Sequence, residues 1–204
     1  MGNSWSVIDE SLLEFQLIPI AELPPADWYF FYSGKGASFF LQQSEPPKGI
    51  KLGCLGQSAA DVLEAAGFTP DYVGDGHPER VAVSWLPVVK KQQVVFVQAQ
   101  QSRASVQKLL SNHIQGEALV VYDNRMKTQV NHQNTDYLIF TSPLNFQAYV
   151  KHHKIGPQQR VIGIGATTAV TFSAASVKDY RIATVPSEAG LVQCLLDWEQ
   201  EQPQ

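Results

Sequence analysis

The sequence predicts an α/β protein in which parallel sheets are covered by helices on both faces. Three observations carry this. Short apolar runs occur without polar alternation, as in strands buried on both faces; helical patterns separate them; and the pattern repeats at a fixed offset. The 204 residues are 44% hydrophobic and 17% charged, which excludes a disordered chain and leaves room for one large domain or two lobes.

In chain order, WYFFY (28–32), IKLGCL (50–55), VVFVQ (94–98), ALVVY (118–122), YLIFT (137–141) and VIGIG (161–165) read as strands. Each is short and rich in β-branched or aromatic residues. Helices are expected between them. One opens at Ser58-Ala-Ala-Asp61 with the spacing of a capping box and closes at Gly67, with Val62, Leu63 and Ala66 inward. Residues 78–89 carry mixed signals. Pro78 suits the first turn of a helix, whereas Val81, Val83 and Trp85 alternate like a strand; the reading favours helix. Further helices are expected over 102–111, with Val106, Leu109 and Leu110 inward, over 167–175, and over 187–199, with Leu191, Leu195 and Trp198 inward.

The repeat organises these elements. Asp27-Trp-Tyr-Phe-Phe-Tyr-Ser33 aligns with Asp136-Tyr-Leu-Ile-Phe-Thr-Ser142, and Leu55-Gly-Gln-Ser-Ala-Ala60 with Ile164-Gly-Ala-Thr-Thr-Ala169. The offsets 136 − 27, 142 − 33 and 165 − 56 all equal 109. Two motifs in one register, each at a strand-to-helix junction, argue for two similar lobes. The extended segments 16–23 and 117–125 then read as paired crossings, with a middle lobe (23–122) inserted into an outer lobe (1–22 plus 123–204).

The junctions suggest a chemistry. Ser33-Gly-Lys-Gly36, Gly56-Gln-Ser58, Ser142-Pro-Leu144 and Gly165-Ala-Thr-Thr168 stand where helix N-termini present unpaired N–H groups and the positive end of the helix dipole, which suits anions. Plain helix capping is the alternative at any one of them. Arg103, read as just inside the 102–111 helix, is a candidate partner for a carboxylate, with a simple surface position as the equal alternative. The balance of 15 Lys+Arg against 19 Asp+Glu, net −4, argues against nucleic-acid binding by massed phosphate neutralisation. His152-His153 reads as a solvated cationic helix end. No nucleophile elbow, metalloprotease, P-loop or dinucleotide fingerprint is present. Cys54 and Cys194 lack metal spacing and read as core thiols. The opening residues carry no secretory pattern and no segment is long and apolar enough to cross a membrane, so a cytoplasmic location is expected.

The paired motifs, D-[WY]-x-x-F-[YT]-S followed after 23 residues by [IL]-G-x-[ST]-[AT]-A, resemble those of the uroporphyrinogen-III synthase family. KLGCLGQSAADVLEAAGFTPDYV and FTSPLNFQAYV resemble its wording, and VVFVQAQQSR and ALVVYDN follow in the family's order. The resemblance covers about residues 16–200. It implies two flavodoxin-like parallel-sheet lobes joined by a two-stranded β-ladder, with the active site in the cleft. It implies that linear hydroxymethylbilane loses its hydroxyl as water and closes, with inversion of ring D, to uroporphyrinogen III, without cofactor or metal. Substrate contacts carried over by position are Ser33, Gln57, Ser58, Ser142, Thr167 and Thr168, with Thr168 the catalytic candidate. Lys35 departs from the family's usual turn and, with Arg103, is expected to help bind the eight carboxylates of the substrate. Tyr122 and Tyr137 are the two candidates for a tyrosine that some members carry before the second lobe's first strand. Only about 15 residues precede the match to EFQLIPIAEL, so the outer lobe is expected to lack one strand and most of a helix. The implied partner is the tetrapyrrole, with transient contact to hydroxymethylbilane synthase; nucleic acid and membrane are not expected, and the protein is expected to act as a monomer. The second reading is a truncated or degenerate homologue, a module that binds a tetrapyrrole or another polyanion without turnover.

Overall fold

The computed structural model describes residues 5–129 and 134–201. The chain divides into two compact units, Phe15–Asn124 and the residues up to Glu14 together with those from Arg125 onward. Both contain parallel sheet and helix, so the α/β class read from the sequence holds. No helix among the described residues is long and apolar enough to cross a membrane.

The first unit is built from β1 (Leu13–Leu17), β2 (Trp28–Phe31), α1 (Gly34–Leu41), β3 (Lys51–Cys54), α2 (Gln57–Ala65), β4 (Tyr72–Val73), α3 (Pro78–Val89), β5 (Gln93–Ala99), α4 (Ser105–Leu110) and β6 (Gln115–Met126), with β1 and β6 running across its boundary. The strands lie in the order β1-β6-β5-β2-β3-β4. All neighbours from β6 to β4 are parallel. β1 is the exception: Ile18 N–H donates to Val121 O and Lys127 N–H to Leu12 O, and partner numbers that fall as the others rise mark an antiparallel pair.

Counted in chain order, the five parallel strands are arranged 3-2-1-4-5. This corrects the flavodoxin-like expectation, whose order is 2-1-3-4-5. Both orders have the same alternation of strand and helix along the chain, so the sequence pattern does not separate them. The four-residue β2 shows why its run is unbroken. Tyr29 and Phe31 face α1 and α2 with Phe40 and Leu63, whereas Trp28 and Phe30 face α3 and α4 with Trp85 and Val106. Every β2 side chain is buried, so the strand has no polar face.

The inward faces differ in detail from expectation. Ala59, Ala60 and Leu63 are the buried residues of α2; Ala66 is exposed because the helix stops there, with Gly67 at φ 88 donating to Glu64 O. Leu109 is also exposed, because α4 is a short helix that turns only Val106 and Leu110 to the core. The favoured helix over 78–89 is present, and Val83 points to solvent.

The second unit contains β7 (Tyr137–Phe140), α5 (Pro143–His152), β8 (Arg160–Gly163), α6 (Ala166–Ala174), β9 (Tyr180–Ile182) and α7 (Glu188–Gln200). Its sheet is parallel, in the order β7-β8-β9. Phe140, Phe146 and Phe172 meet in edge-to-face contacts on the α5 and α6 side. Ile162, Leu191, Cys194 and Trp198 form the core on the α7 side, with Cys194 rather than Leu195 fully inward.

Cys54 and Cys194 are free and buried. Burial pushes the Cys54 thiol and the Tyr32 phenol each up to about 12. An unfolded chain releases these protons at about 8.5 and 10, so the folded form holds them longer. Their contribution is complete below about pH 8.5 and is lost as pH rises towards about 12. Urea midpoints are expected to fall steadily above pH 9, and less steeply in Tyr32→Phe.

Candidate functional site

At the carboxyl edge of the first unit, β2 passes into α1 through Ser33. The residue is extended at φ −159, and its Oγ accepts from Gly36 N–H at 3.0 Å. β3 passes into α2 through Gly56, extended at φ −162 and without a side-chain cap. Thus Ser58 does not cap its helix: it lies in the first turn, exposed, beside Gln57, whose amide donates to Asp61 Oδ1 at 2.8 Å. The two turns touch at Gly34. A Cβ built there would stand 2.4 Å from the Ser58 carbonyl oxygen, so only glycine allows this approach. Gly34, Lys35, Gln57 and Ser58 thereby present first-turn N–H groups that have no carbonyl one turn back.

The reversal of strand order places a switch point between β2 and β5, where open parallel sheets bind ligands. Ser33 and Lys35 follow one of these strands; residues 100–104 follow the other. Lys35 is exposed, and its ammonium stands 3.8 Å from the centroid of the Phe15 ring, an attraction to the ring's negative face. Phe15 leans on Tyr122, which stacks on Phe39 with centroids 5.0 Å apart. Arg103 is exposed and sits in the loop ahead of α4, not inside the helix. The reason is local: Ala104 adopts the left-handed region at φ 50, and its N–H donates to Ser102 Oγ. Tyr32 Oη then accepts from Gln107 N–H at 2.9 Å and ties the first turn of α4 to the end of β2.

The second unit repeats this plan. Ser142, extended at φ −156, accepts from Asn145 N–H at 3.2 Å, with Pro143 following it. Gly165 caps α6 at φ −177 without a side chain. The elements themselves keep the offset: α2 at 57–65 becomes α6 at 166–174, since 57 + 109 = 166. Ser58 and Thr167, both exposed, are therefore equivalent, as are Ala59 and Thr168, at 1% and 2% exposure. Thr168, the catalytic candidate of the sequence reading, faces the sheet next to Gly163, at a position where the other unit carries alanine. The exposed hydroxyl of this turn is that of Thr167.

Three further residues change standing. Ser187 caps α7 and accepts from Gly190 N–H at 3.1 Å, and Pro186 beside it faces Gly165. It adds a third turn to this edge, one residue out of the 109-residue register, since the α3 cap is His77 and 77 + 109 = 186. The tyrosine candidates also separate. Tyr122 is near Gly36, at the end of β5 that carries the turns. Tyr137 begins β7, at the opposite end of its sheet, where its hydroxyl donates to Glu199 and accepts from Arg160, both at 2.5 Å. Arg160 also pairs with Glu199 at 2.6 Å, which makes this a structural staple. Among the described residues no cluster of His, Cys, Asp or Glu is disposed to hold a metal ion.

The family model described as uroporphyrinogen-III synthase HemD matches residues 5–193. The chain belongs to the uroporphyrinogen-III synthase family. Its members are enzymes of tetrapyrrole biosynthesis that cyclise hydroxymethylbilane, and this chain has that activity. Among solved structures it is similar to the uroporphyrinogen-III synthetase of Helicobacter pylori, at 23% identity and TM-score 0.77, covering 92% of this chain and 91% of the other. It is also similar to a mutant uroporphyrinogen III synthase of the extremely thermophilic bacterium Thermus thermophilus, at 16% identity and TM-score 0.60, covering 94% and 88%. At these identities the likeness is one of fold. No curated protein matches significantly.

Proposed function

We propose that the carboxylates of hydroxymethylbilane are held by the strand-to-helix turns of both units, each supplying first-turn N–H groups and one exposed hydroxyl. The observation that carries this reading is the equivalence of Ser33 with Ser142, and of Gly56 to Ser58 with Gly165 to Thr167, in position and geometry. In this reading Ser33, Gln57, Ser58, Ser142 and Thr167 bind substrate, and Thr168 positions the turn that carries Thr167. The units are the lobes of the family's plan, Phe15–Asn124 inserted in sequence into the other rather than 23–122, and β1 with β6 carries the chain across their boundary. The protein acts as a monomer in the cytoplasm.

The chemistry asks little of ionised side chains. Electron-rich pyrroles expel the hydroxyl themselves. The protein's task is to hold the two ends of the chain so that the substituted carbon of ring D is the one attacked, an effect of orientation. Tyr122, beside the Ser33 turn, offers a phenol to the leaving hydroxyl. Lys35 leaves the Phe15 ring for a carboxylate, and Arg103 meets another.

Freshly generated hydroxymethylbilane is expected to give isomer III, resolved from isomer I after oxidation of the products. Isomer I alone, at the spontaneous rate, overturns the reading. Lys35→Ala is expected to raise KM about tenfold and to flatten its dependence on salt, in line with losing one charge-assisted hydrogen bond of about 1.5–3 kcal/mol. Ser33→Ala is expected to lower stability by about 1 kcal/mol through loss of the cap, read by thermal melting.

A further inference from the structure

Residues 5–12 run beside β7 without pairing to it. Trp5 meets Tyr137, the first residue of β7, edge-on with centroids 6.0 Å apart. Leu12 N–H donates to Asn145 Oδ1 at 3.1 Å, in the first turn of the helix that follows β7. The segment therefore starts where β7 starts and ends just past where it ends: it runs in the same direction. Its far end is fixed again by Lys127, whose N–H donates to Leu12 O at 2.9 Å and whose ammonium stands 3.5 Å from the Glu10 carboxylate.

Between segment and strand lies a groove of about 320 Å³. Among the described residues β7 is an edge strand, paired with β8 on one side. The carbonyls of Asp136 and Phe140 are taken by Arg160 and Ile164 N–H, so the backbone groups of the alternate residues Tyr137, Ile139 and Thr141 turn to the groove. An unpaired row of this kind is a template for another strand. The groove also holds the Tyr149 hydroxyl, on a residue 6% exposed, which lies by Gln159 without a partner in hydrogen-bonding geometry. Apolar side chains stand open on both sides: Val7 is 83% exposed, Ile8 49% and Ile139 43%.

We propose that residues 6–10 close onto β7 as a fourth parallel strand, pairing with the backbone of Tyr137, Ile139 and Thr141. Closure covers Ile8 and Ile139 together and gives the open edge its hydrogen bonds. The segment is the favoured occupant because it is already held along β7 near both ends, and tethering raises its local concentration far above that of a separate chain. The strap is thus a conformational element of this unit, independent of how substrate is bound elsewhere.

Amide hydrogen exchange of the full chain, resolved by residue with NMR, tests this. The Ile139 and Thr141 amides are expected to exchange at least 100-fold slower than in an open chain, at any protein concentration. In a Val7→Pro, Asp9→Pro double variant this protection is expected to fall at least tenfold, while Val161 and Ile162 in β8 keep theirs. Open-chain exchange at Ile139 and Thr141 in the natural sequence overturns the proposal whatever the variant does. So does protection that survives the prolines, and so does protection that rises with concentration, which would mean that a second copy covers the edge.

Discussion

Replacing Gly34 by valine is expected to lower the melting temperature by about 5–10 °C and to remove most of the turnover. The first added carbon would lie 2.4 Å from the Ser58 carbonyl oxygen, 3.2 Å from its carbonyl carbon and 3.3 Å from Val62 Cγ2. Two of these atoms are backbone and have no rotamer to escape into, so α1 and α2 must move apart. Overpacking of this kind costs about 1–3 kcal/mol, and in a chain of this size each kcal/mol is worth about 2–4 °C. The same movement separates the Ser33 and Ser58 turns, so activity is expected to fall further than stability accounts for. Gly156→Ala is the control. A Cβ there meets nothing nearer than 3.5 Å, and its melting temperature is expected to stay within about 1 °C, since small surface changes rarely exceed about 0.5 kcal/mol.

Much of this architecture was legible because it is repeated. The strands were readable from their unbroken apolar runs, which exist because both sheet faces are covered. The 109-residue offset reappears in β2 and β7, β3 and β8, α2 and α6. β4 and β9 were missed, and the reason is physical. Each is a short edge strand, two and three residues long, with no fully buried side chain, so neither leaves an apolar run. The sheet order was hidden for a different reason, since the direction in which a crossover carries the chain depends on which helix packs on which face.

The site was legible in its turns and less so in its side chains. Ser33 and Ser142 cap their helices as serine before a helix is expected to do. Ser58 misled, because a serine three residues before an acid resembles a capping box, whereas the extended Gly56 already serves as the cap. Val106 and Leu110 set a helical period that takes in Arg103; the left-handed Ala104 delays the helix start, and such a backbone turn leaves no trace in hydropathy. Thr167 and Thr168 are adjacent and chemically alike. Only the registration of α6 on the sheet distinguishes them, and its clearest sign in the sequence was the alanine at position 59, opposite Thr168 in the repeat.

That registration leads to the sharpest expected difference in activity. Ser58→Ala with Thr167→Ala is expected to cut kcat/KM by about 10²–10⁴-fold with little change in stability, since each removes an exposed hydroxyl offered to a charged group, worth about 1.5–3 kcal/mol. Neither side chain is packed in the core, so the melting temperature is expected to hold. Thr168→Ala should behave in the opposite way. At 2% exposure its methyl and hydroxyl are part of the packing over Gly163; the variant is expected to lose about 1–2 kcal/mol of stability and to keep kcat/KM within about tenfold. Steady-state kinetics on freshly made hydroxymethylbilane, paired with thermal melts of the same preparations, read both quantities. If Thr168→Ala instead abolishes turnover while melting like the natural protein, then the Thr168 hydroxyl itself reaches the substrate. The first turn of α6 would then have to move when the ligand binds, because at 2% exposure the Thr168 side chain is turned to the sheet.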